Sequence, residues 1–299
     1  MRGVIRSHAV SHGLRHNASV MLEMIKFQHT VFALPFALTG ALLAAGGMPS
    51  FRALALIVAA AVFARTAAMS FNRWADAALD ARNPRTADRA IPAGELRRPF
   101  VLGVALGSAA LFVICAALLN PLAFWLSPVA LIVLLGYSYT KRFTSLAHFV
   151  LGAALGIAPV GAWIAVRGDV SATPVLLGLG VLVWTAGFDL IYACQDVEFD
   201  VREGLYSIPA RLGIPRALLL SRVLHICAVA TFVGAGVVYG AGGLYFIGVG
   251  VVALLLTAEH LIVNPRDLSR INVAFFTVNS WVGMVIFVAT AADLWMKSR

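Results

Sequence analysis

Nine stretches of this chain are continuously apolar, and each is about as long as a bilayer is thick. They fall near residues 30–48, 53–71, 100–119, 121–140, 147–166, 173–191, 217–239, 242–263 and 273–295. An α-helix rises 1.5 Å per residue and the hydrocarbon core is about 30 Å deep, so about 20 apolar residues make one crossing. Lipid offers no hydrogen bonds, so only helices and closed barrels can span it. The runs are continuous rather than alternating, which excludes barrel strands. The expectation is an all-α polytopic membrane protein with nine transmembrane helices around a central cavity. Composition agrees: 61% of the residues are hydrophobic and 12% charged, where a soluble domain carries about a quarter. An ordinary soluble enzyme, a disordered chain and a disulfide scaffold are excluded. Cys115, Cys194 and Cys227 lie in or beside apolar runs and form neither a metal spacing nor a disulfide set.

Two connections are too short for anything but antiparallel hairpins: Asn120-Pro121 between the third and fourth runs, and Gly240–Gly243 between the seventh and eighth. With the N-terminus inside, 19 of the 23 Lys and Arg residues fall in the cytoplasmic tail, loops and helix ends. That asymmetry predicts a cytoplasmic N-terminus and an external C-terminus. The net charge of +9 is then a basic cytoplasmic face, and no nucleic-acid partner is expected. The first apolar run begins only at Thr30, so no signal peptide is expected. Residues 1–27 are expected to be a cytoplasmic tail and 28–299 a single transmembrane domain. His8, His12 and His16 recur every four residues within that tail and are not read as a metal site.

Two cytoplasmic segments are long and rich in both charges. One carries Asn72, Asp76 and Asp80; the other carries Asp189, Tyr192, Asp196 and Asp200. Each has D-x-x-x-D at the end of an apolar run, and the two motifs are offset by 120 residues, which hints at an old duplication. Residues four apart on a helix differ by about 40° in azimuth and 6 Å in height. Asn72, Asp76 and Asp80 therefore share a face, and Asp189, Asp196 and Asp200 come close to doing so. Carboxylates stacked on one face repel unless cations separate them, and Mg²⁺ typically binds one or two carboxylates together with substrate phosphates. The bland alternative is a solvated loop of acids paired with nearby arginines. It accounts for single charges but not for two matching sets at one membrane level. Arg85 and Arg89 follow the first motif, and Lys141-Arg142 ends the fourth run. Divalent ions with converging cations suit a polyanion such as diphosphate.

At these residues the sequence resembles the UbiA superfamily of intramembrane prenyltransferases, over roughly residues 22–295. Asn72, Asp76 and Asp80 match N-x-x-x-D-x-x-x-D, followed by an Arg-Thr-x-x-Arg element at Arg85, Thr86 and Arg89. Asp189, Tyr192, Asp196 and Asp200 match D-x-x-Y-x-x-x-D-x-x-x-D, which continues into Gly204-Leu205-x-Ser207-Ile208-Pro209. Tyr137 and Lys141 match Tyr-x-x-x-Lys. Asn83-Pro84-Arg85-Thr86 and Tyr192-Ala-Cys-Gln195-Asp196 resemble the 4-hydroxybenzoate polyprenyltransferase branch. The segment Phe27–Pro35 leans toward relatives that serve menaquinone synthesis by the futalosine route. Lys26 and His29 stand where many members have an Arg before the first-helix Pro, and Arg73 stands where many carry Asp.

The resemblance implies Mg²⁺-dependent transfer of a polyprenyl group from its diphosphate to an aromatic acid, 4-hydroxybenzoate or similar, in ubiquinone or menaquinone biosynthesis. It implies Mg²⁺ on Asn72, Asp76 and Asp80, with a second ion on Asp196 and Asp200. Arg85, Arg89 and Lys141 would grip the diphosphate. Asp189, Tyr192 and Tyr137 would act catalytically by orienting the acceptor or steadying the allylic cation. The active site is expected at the cytoplasmic end of the helices, with the prenyl tail among them, in a bacterial or archaeal plasma membrane rather than the mitochondrial inner membrane. Two other classes remain open. An ion or proton transporter needs ionisable groups near the midplane, where the chain offers Arg65, Glu259 and His260. A lipid-diphosphate phosphatase would release free phosphate.

Overall fold

A first-turn proline or a polar cap opens six of the described helices. The computed structural model describes residues 14–24 and 32–299; Lys26, His29, His8 and His12 lie outside them. The elements run α1 (Leu14–Met24), α2 (Leu34–Ala45), α3 (Phe51–Asp80), α4 (Arg98–Leu119), α5 (Pro121–Thr140), α6 (Ala147–Arg167) and α7 (Ala172–Ala193). A 3₁₀ turn at Cys194–Asp196 leads to α8 (Val197–Arg202), α9 (Ile208–Leu212), α10 (Ile214–Tyr239) and α11 (Gly243–Ile262). The short α12 (Ile271–Val273) passes through a π turn into α13 (Asn279–Lys297). Proline occupies the first turn of α2, α4, α5, α9 and α10, where its missing N–H costs no helical hydrogen bond. Ser50 caps α3 by accepting from the Ala53 N–H at 3.2 Å, and Asn120 caps α5 by accepting from Ala123 at 2.9 Å. The Asn120 amide also donates to the Ile164 carbonyl at 2.7 Å, which fastens the α4–α5 hairpin to α6.

Among the described residues, eight helices are long and apolar enough to cross a membrane. The chain is therefore a multi-span membrane protein, as expected, but the count of nine is not reached. The first apolar run is interrupted: Pro35 opens α2 and Gly46, at φ +63°, closes it after 12 residues. At 1.5 Å per residue that is about 18 Å, short of a crossing. The helical reading of the first motif holds, and α3 runs 30 residues to Asp80. Asn72, Asp76 and Asp80 thus belong to its last turns and not to a loop.

Small residues set the close approach of α6 to α7. A Cβ on Gly152 would lie 2.3 Å from the Leu182 carbonyl oxygen, and one on Gly156 would lie 2.5 Å from that of Gly178. Neither distance is sterically possible, so α6 approaches α7 along a line where only glycine fits. On the other side of α7, Trp184, Phe36, Phe232, Tyr245 and Ile286 are among the largest fully buried side chains. From the segment expected as a tail, Met21 and Met24 of α1 are buried against Ala90, Leu96 and Val101.

Candidate active site

At one end of the bundle, the last turns of α3, α5 and α7 and the first turn of α6 enclose a cavity of about 210 Å³. All eleven residues singled out from the sequence line it: Asn72, Asp76, Asp80, Arg85, Arg89, Tyr137, Lys141, Asp189, Tyr192, Asp196 and Asp200. Residues 81–96, between α3 and α4, form a chain of turns. Thr86 N–H donates to Asn83 O at 2.9 Å and Arg89 N–H to Thr86 O at 3.1 Å. This folds the segment back over the cavity, so Arg85 and Arg89 reach it from a series of turns and not from a helix.

The carboxylates are held mostly by arginines. Arg85 grips Asp196 with two donors, Nε to Oδ1 at 2.9 Å and Nη2 to Oδ2 at 2.5 Å, and gives its third nitrogen to the Tyr192 hydroxyl at 3.1 Å. Arg89 Nη1 meets Asp80 Oδ1 at 2.6 Å. Arg142 Nη2, not Lys141, meets Asp76 Oδ1 at 2.9 Å. The Asn72 amide donates to Asp76 Oδ2 at 2.9 Å. Asp200 takes a hydrogen bond from Ser207 and lies near Lys141. For Arg85, burial would lower the guanidinium pKa, but the bonds to Asp196 outweigh it and the net shift is upward.

The second motif is less regular than the first. The 3₁₀ turn at Cys194–Asp196 interrupts the helix, so Asp189 and Asp196 do not share one continuous α-helical face. A 3₁₀ turn has three residues per turn instead of 3.6, and it brings Asp196 round toward Arg85. Several further residues, to which the sequence reading gave no role in the site, take part. Asn83 donates to Asp196 at 3.3 Å, and Thr86 Oγ1 donates to the Asp80 carbonyl at 3.1 Å. His148 sets its Nδ1 2.6 Å from Asp189 Oδ2. Arg65 and Arg73, earlier on α3 than Asp76, are near enough to Tyr137 to act on it electrostatically, as are Asp76 and Asp189. His148 had a signal: it lies four and eight residues before Gly152 and Gly156, on the face of α6 turned to α7. Glu259 is also buried, but away from the cavity, taking a 2.7 Å hydrogen bond from Asn279.

Residues 33–281 match the UbiA prenyltransferase family. The chain belongs to that family. Among curated UbiA relatives, a 4-hydroxybenzoate octaprenyltransferase of Shewanella sediminis is 30% identical over 94% of this chain and 98% of its own length. Another of that name, from Shewanella piezotolerans, is 34% identical over 84% of this chain and 86% of its own. Among solved structures, an apo UbiA homologue from Aeropyrum pernix is 35% identical with a TM-score of 0.81, covering 89% of this chain and 98% of that one. A UbiA homologue from Archaeoglobus fulgidus bound to GPP and Mg²⁺ shares the fold at 20% identity, TM-score 0.65, over 91% and 99% of the two chains.

The residues also bear on whether a UbiA-type cavity here suits Mg²⁺. Among the described residues, no three His, Cys, Asp or Glu side chains converge as a ready-made metal cage. The donors are nevertheless all hard oxygens, from four aspartates of the two motifs and Asn72, and they line one cavity. Asp80 Oδ2 is buried there with no hydrogen-bond partner. Such a group is costly to leave unsatisfied. Mg²⁺ keeps several waters and binds through one or two carboxylates plus phosphate rather than a full protein cage, so the donor set fits.

Proposed function

We propose that this protein transfers a polyprenyl group from polyprenyl diphosphate to an aromatic acid of the 4-hydroxybenzoate type, in ubiquinone or menaquinone biosynthesis, with Mg²⁺ as cofactor. The observation that carries the reading is the meeting of both aspartate motifs and the arginine segment in one cavity at a helix end. Asn72, Asp76 and Asp80 on one wall, and Asp196 and Asp200 on the other, would hold Mg²⁺. The metal, when bound, neutralises charge on the departing diphosphate. Arg85, Arg89 and Lys141 bind diphosphate oxygens, with planar guanidinium groups suited to bidentate contact. Tyr192 and Tyr137 present aromatic faces and Asp189 a carboxylate to the cation that develops on the prenyl carbon.

An acidic acceptor is supported by Arg65 and Arg73. Both lie on α3 beside Tyr137, and Arg65 is seven residues, or about 10 Å of helix, from Asn72 on the membrane side. The names of the curated relatives support the same acceptor class. The prenyl tail is as apolar as lipid and lies among the helices. The distribution of Lys and Arg supports a cytoplasmic N-terminus and site in a prokaryotic plasma membrane. The test is to incubate membranes holding the protein with Mg²⁺, geranyl diphosphate and a panel of aromatic acids. A prenylated acid with release of diphosphate is expected. Free phosphate without a prenylated product would replace the reading with a lipid diphosphatase. The absence of both products would overturn it.

A further inference from the structure

Five aspartates line the cavity, and four of them are held in ways that blunt or share their charge. Asp76, Asp80 and Asp196 each face an arginine, and Asp200 takes a hydroxyl and lies near Lys141. Asp189 is different. Its partner is His148, buried at 4% exposure in the first turn of α6, with Nδ1 2.6 Å from Oδ2.

The far side of the imidazole determines which nitrogen carries the proton. The Ile208 backbone N–H points at Nε2, 3.4 Å away. This N–H opens α9, where no helical carbonyl can satisfy it, and Pro209 after it has no N–H to offer. An N–H aimed at Nε2 needs a lone pair there, so the ring proton sits on Nδ1 and is donated to Asp189. The Ser207-Ile208-Pro209 segment thus acquires a purpose. Ser207 holds Asp200 and Ile208 orients His148, so one short loop supports two of the five carboxylates.

We propose that His148 is the positioning residue for Asp189. Held by the Ile208 N–H, it fixes Oδ2 and leaves Oδ1 facing the cavity. Without that bond the Asp189 carboxylate, 23% exposed in a cavity lined by cations, would turn to an arginine as its neighbours do. With it, Asp189 remains the one cavity carboxylate of the five that no Lys or Arg neutralises among the described contacts, available to a developing carbocation. The α6–α7 glycine line sets the distance, since His148, Gly152 and Gly156 occupy one face of α6. The inference rests on the prenyl-transfer reading and deepens it by naming what aims the carboxylate.

The test compares His148→Ala, His148→Gln, Asp189→Asn and His148→Ala/Asp189→Asn in nanodiscs, using geranyl diphosphate and 4-hydroxybenzoate. His148→Ala should lower kcat about 10- to 100-fold, the usual scale for losing a partner that orients a functional group, with both KM values within about 3-fold. A glutamine amide can still donate, so His148→Gln should recover most of the loss. The double variant should be no slower than Asp189→Asn, because both changes act through one carboxylate. Additive losses, or a His148→Gln that folds yet is as slow as His148→Ala, would overturn the proposal. Nitrogen-15 spectra of ring-labelled protein give a readout independent of turnover. A signal absent from His148→Gln should report protonation at Nδ1 and shift in Asp189→Asn; a proton on Nε2 would also overturn it. If the wild type makes no prenylated acid, the prenyl-transfer reading falls, and the spectra still decide the His148–Asp189 pairing.

Discussion

Replacing Arg85 by lysine keeps the charge and removes the fork. Arg85 places three nitrogens at once, two on Asp196 at 2.9 and 2.5 Å and one on the Tyr192 hydroxyl at 3.1 Å. A lysine ammonium is a point charge on a flexible stem and can meet only one of those directions well. Two hydrogen bonds involving a charged group are lost, each worth about 1.5–3 kcal/mol when buried. The Arg85 side chain is 34% exposed, so solvent screening reduces the total to about 2 kcal/mol. On the prenyl-transfer reading the same planar donors would hold the diphosphate, so the loss would carry over to the bound complex. At 1.4 kcal/mol per decade, kcat/KM for the prenyl diphosphate should fall about 30-fold. Among the described residues the Arg89 side chain makes one ion pair, to Asp80, and Arg89→Lys should cost less. Steady-state kinetics in nanodiscs, varying geranyl diphosphate and 4-hydroxybenzoate in turn, read both variants. KM for the acid should hardly move. Unchanged kinetics for both substrates would mean that Arg85 serves only the charge bias of the loop, for which lysine works as well.

Asp76→Ala and Asp196→Ala should each reduce turnover by on the order of 100-fold or more while helical content and membrane insertion persist; wild-type rates in either purified variant would remove the motifs from the site. Activity should vanish in EDTA and return with Mg²⁺, with Ca²⁺ a poor substitute because it prefers longer bonds and more ligands. Full turnover in chelator would leave the arginines as the whole of the diphosphate site. Gly156→Ala should lower the melting temperature by a few degrees in detergent, since its Cβ would fall 2.5 Å from the Gly178 oxygen and overpacking costs about 1–3 kcal/mol. An unshifted melt would show that α6 and α7 can separate freely.

What the sequence made legible follows the physics that is local to it. Apolar length specifies a crossing, so eight runs became spanning helices. Polar residues at fixed offsets on a helix share a face, so the residues chosen from the two motifs meet in one cavity. The failures are cases where a second constraint acts. The first run is long enough on average, but Pro35 and Gly46 bound its helix at 12 residues. The second motif has helical spacing, yet a 3₁₀ turn breaks it at Asp196. Partner choice was not legible. Lys141 and Arg142 are adjacent, and only the direction of the last turn of α5 decides that Arg142 meets Asp76. His148 looked like one residue of an apolar run until α7 was set against the same face.

If the cavity holds Mg²⁺ and a diphosphate, as proposed above, the ion pairs bear on how the two would enter. Arg85 and Arg89, the groups best suited to hold diphosphate, are each bound to an aspartate of a motif. They cannot serve both partners fully. A diphosphate that draws either arginine away leaves Asp196 or Asp80 facing an arriving polyanion, a like-charge contact in a poorly solvated site. Asp80 already has one buried oxygen without a partner, so it has little other relief. Diphosphate alone would therefore be a poor ligand for this cavity, and a divalent cation alone would have to compete with arginines for Asp76, Asp80 and Asp196. If the two bound together, Arg85 and Arg89 would be free to turn to phosphate while Asp196 and Asp80 would be free to hold the metal. Affinity for each should depend strongly on the presence of the other. Such a site would resist loading by either alone, which suits the proposed reaction, whose first bond should break only when the diphosphate charge is matched.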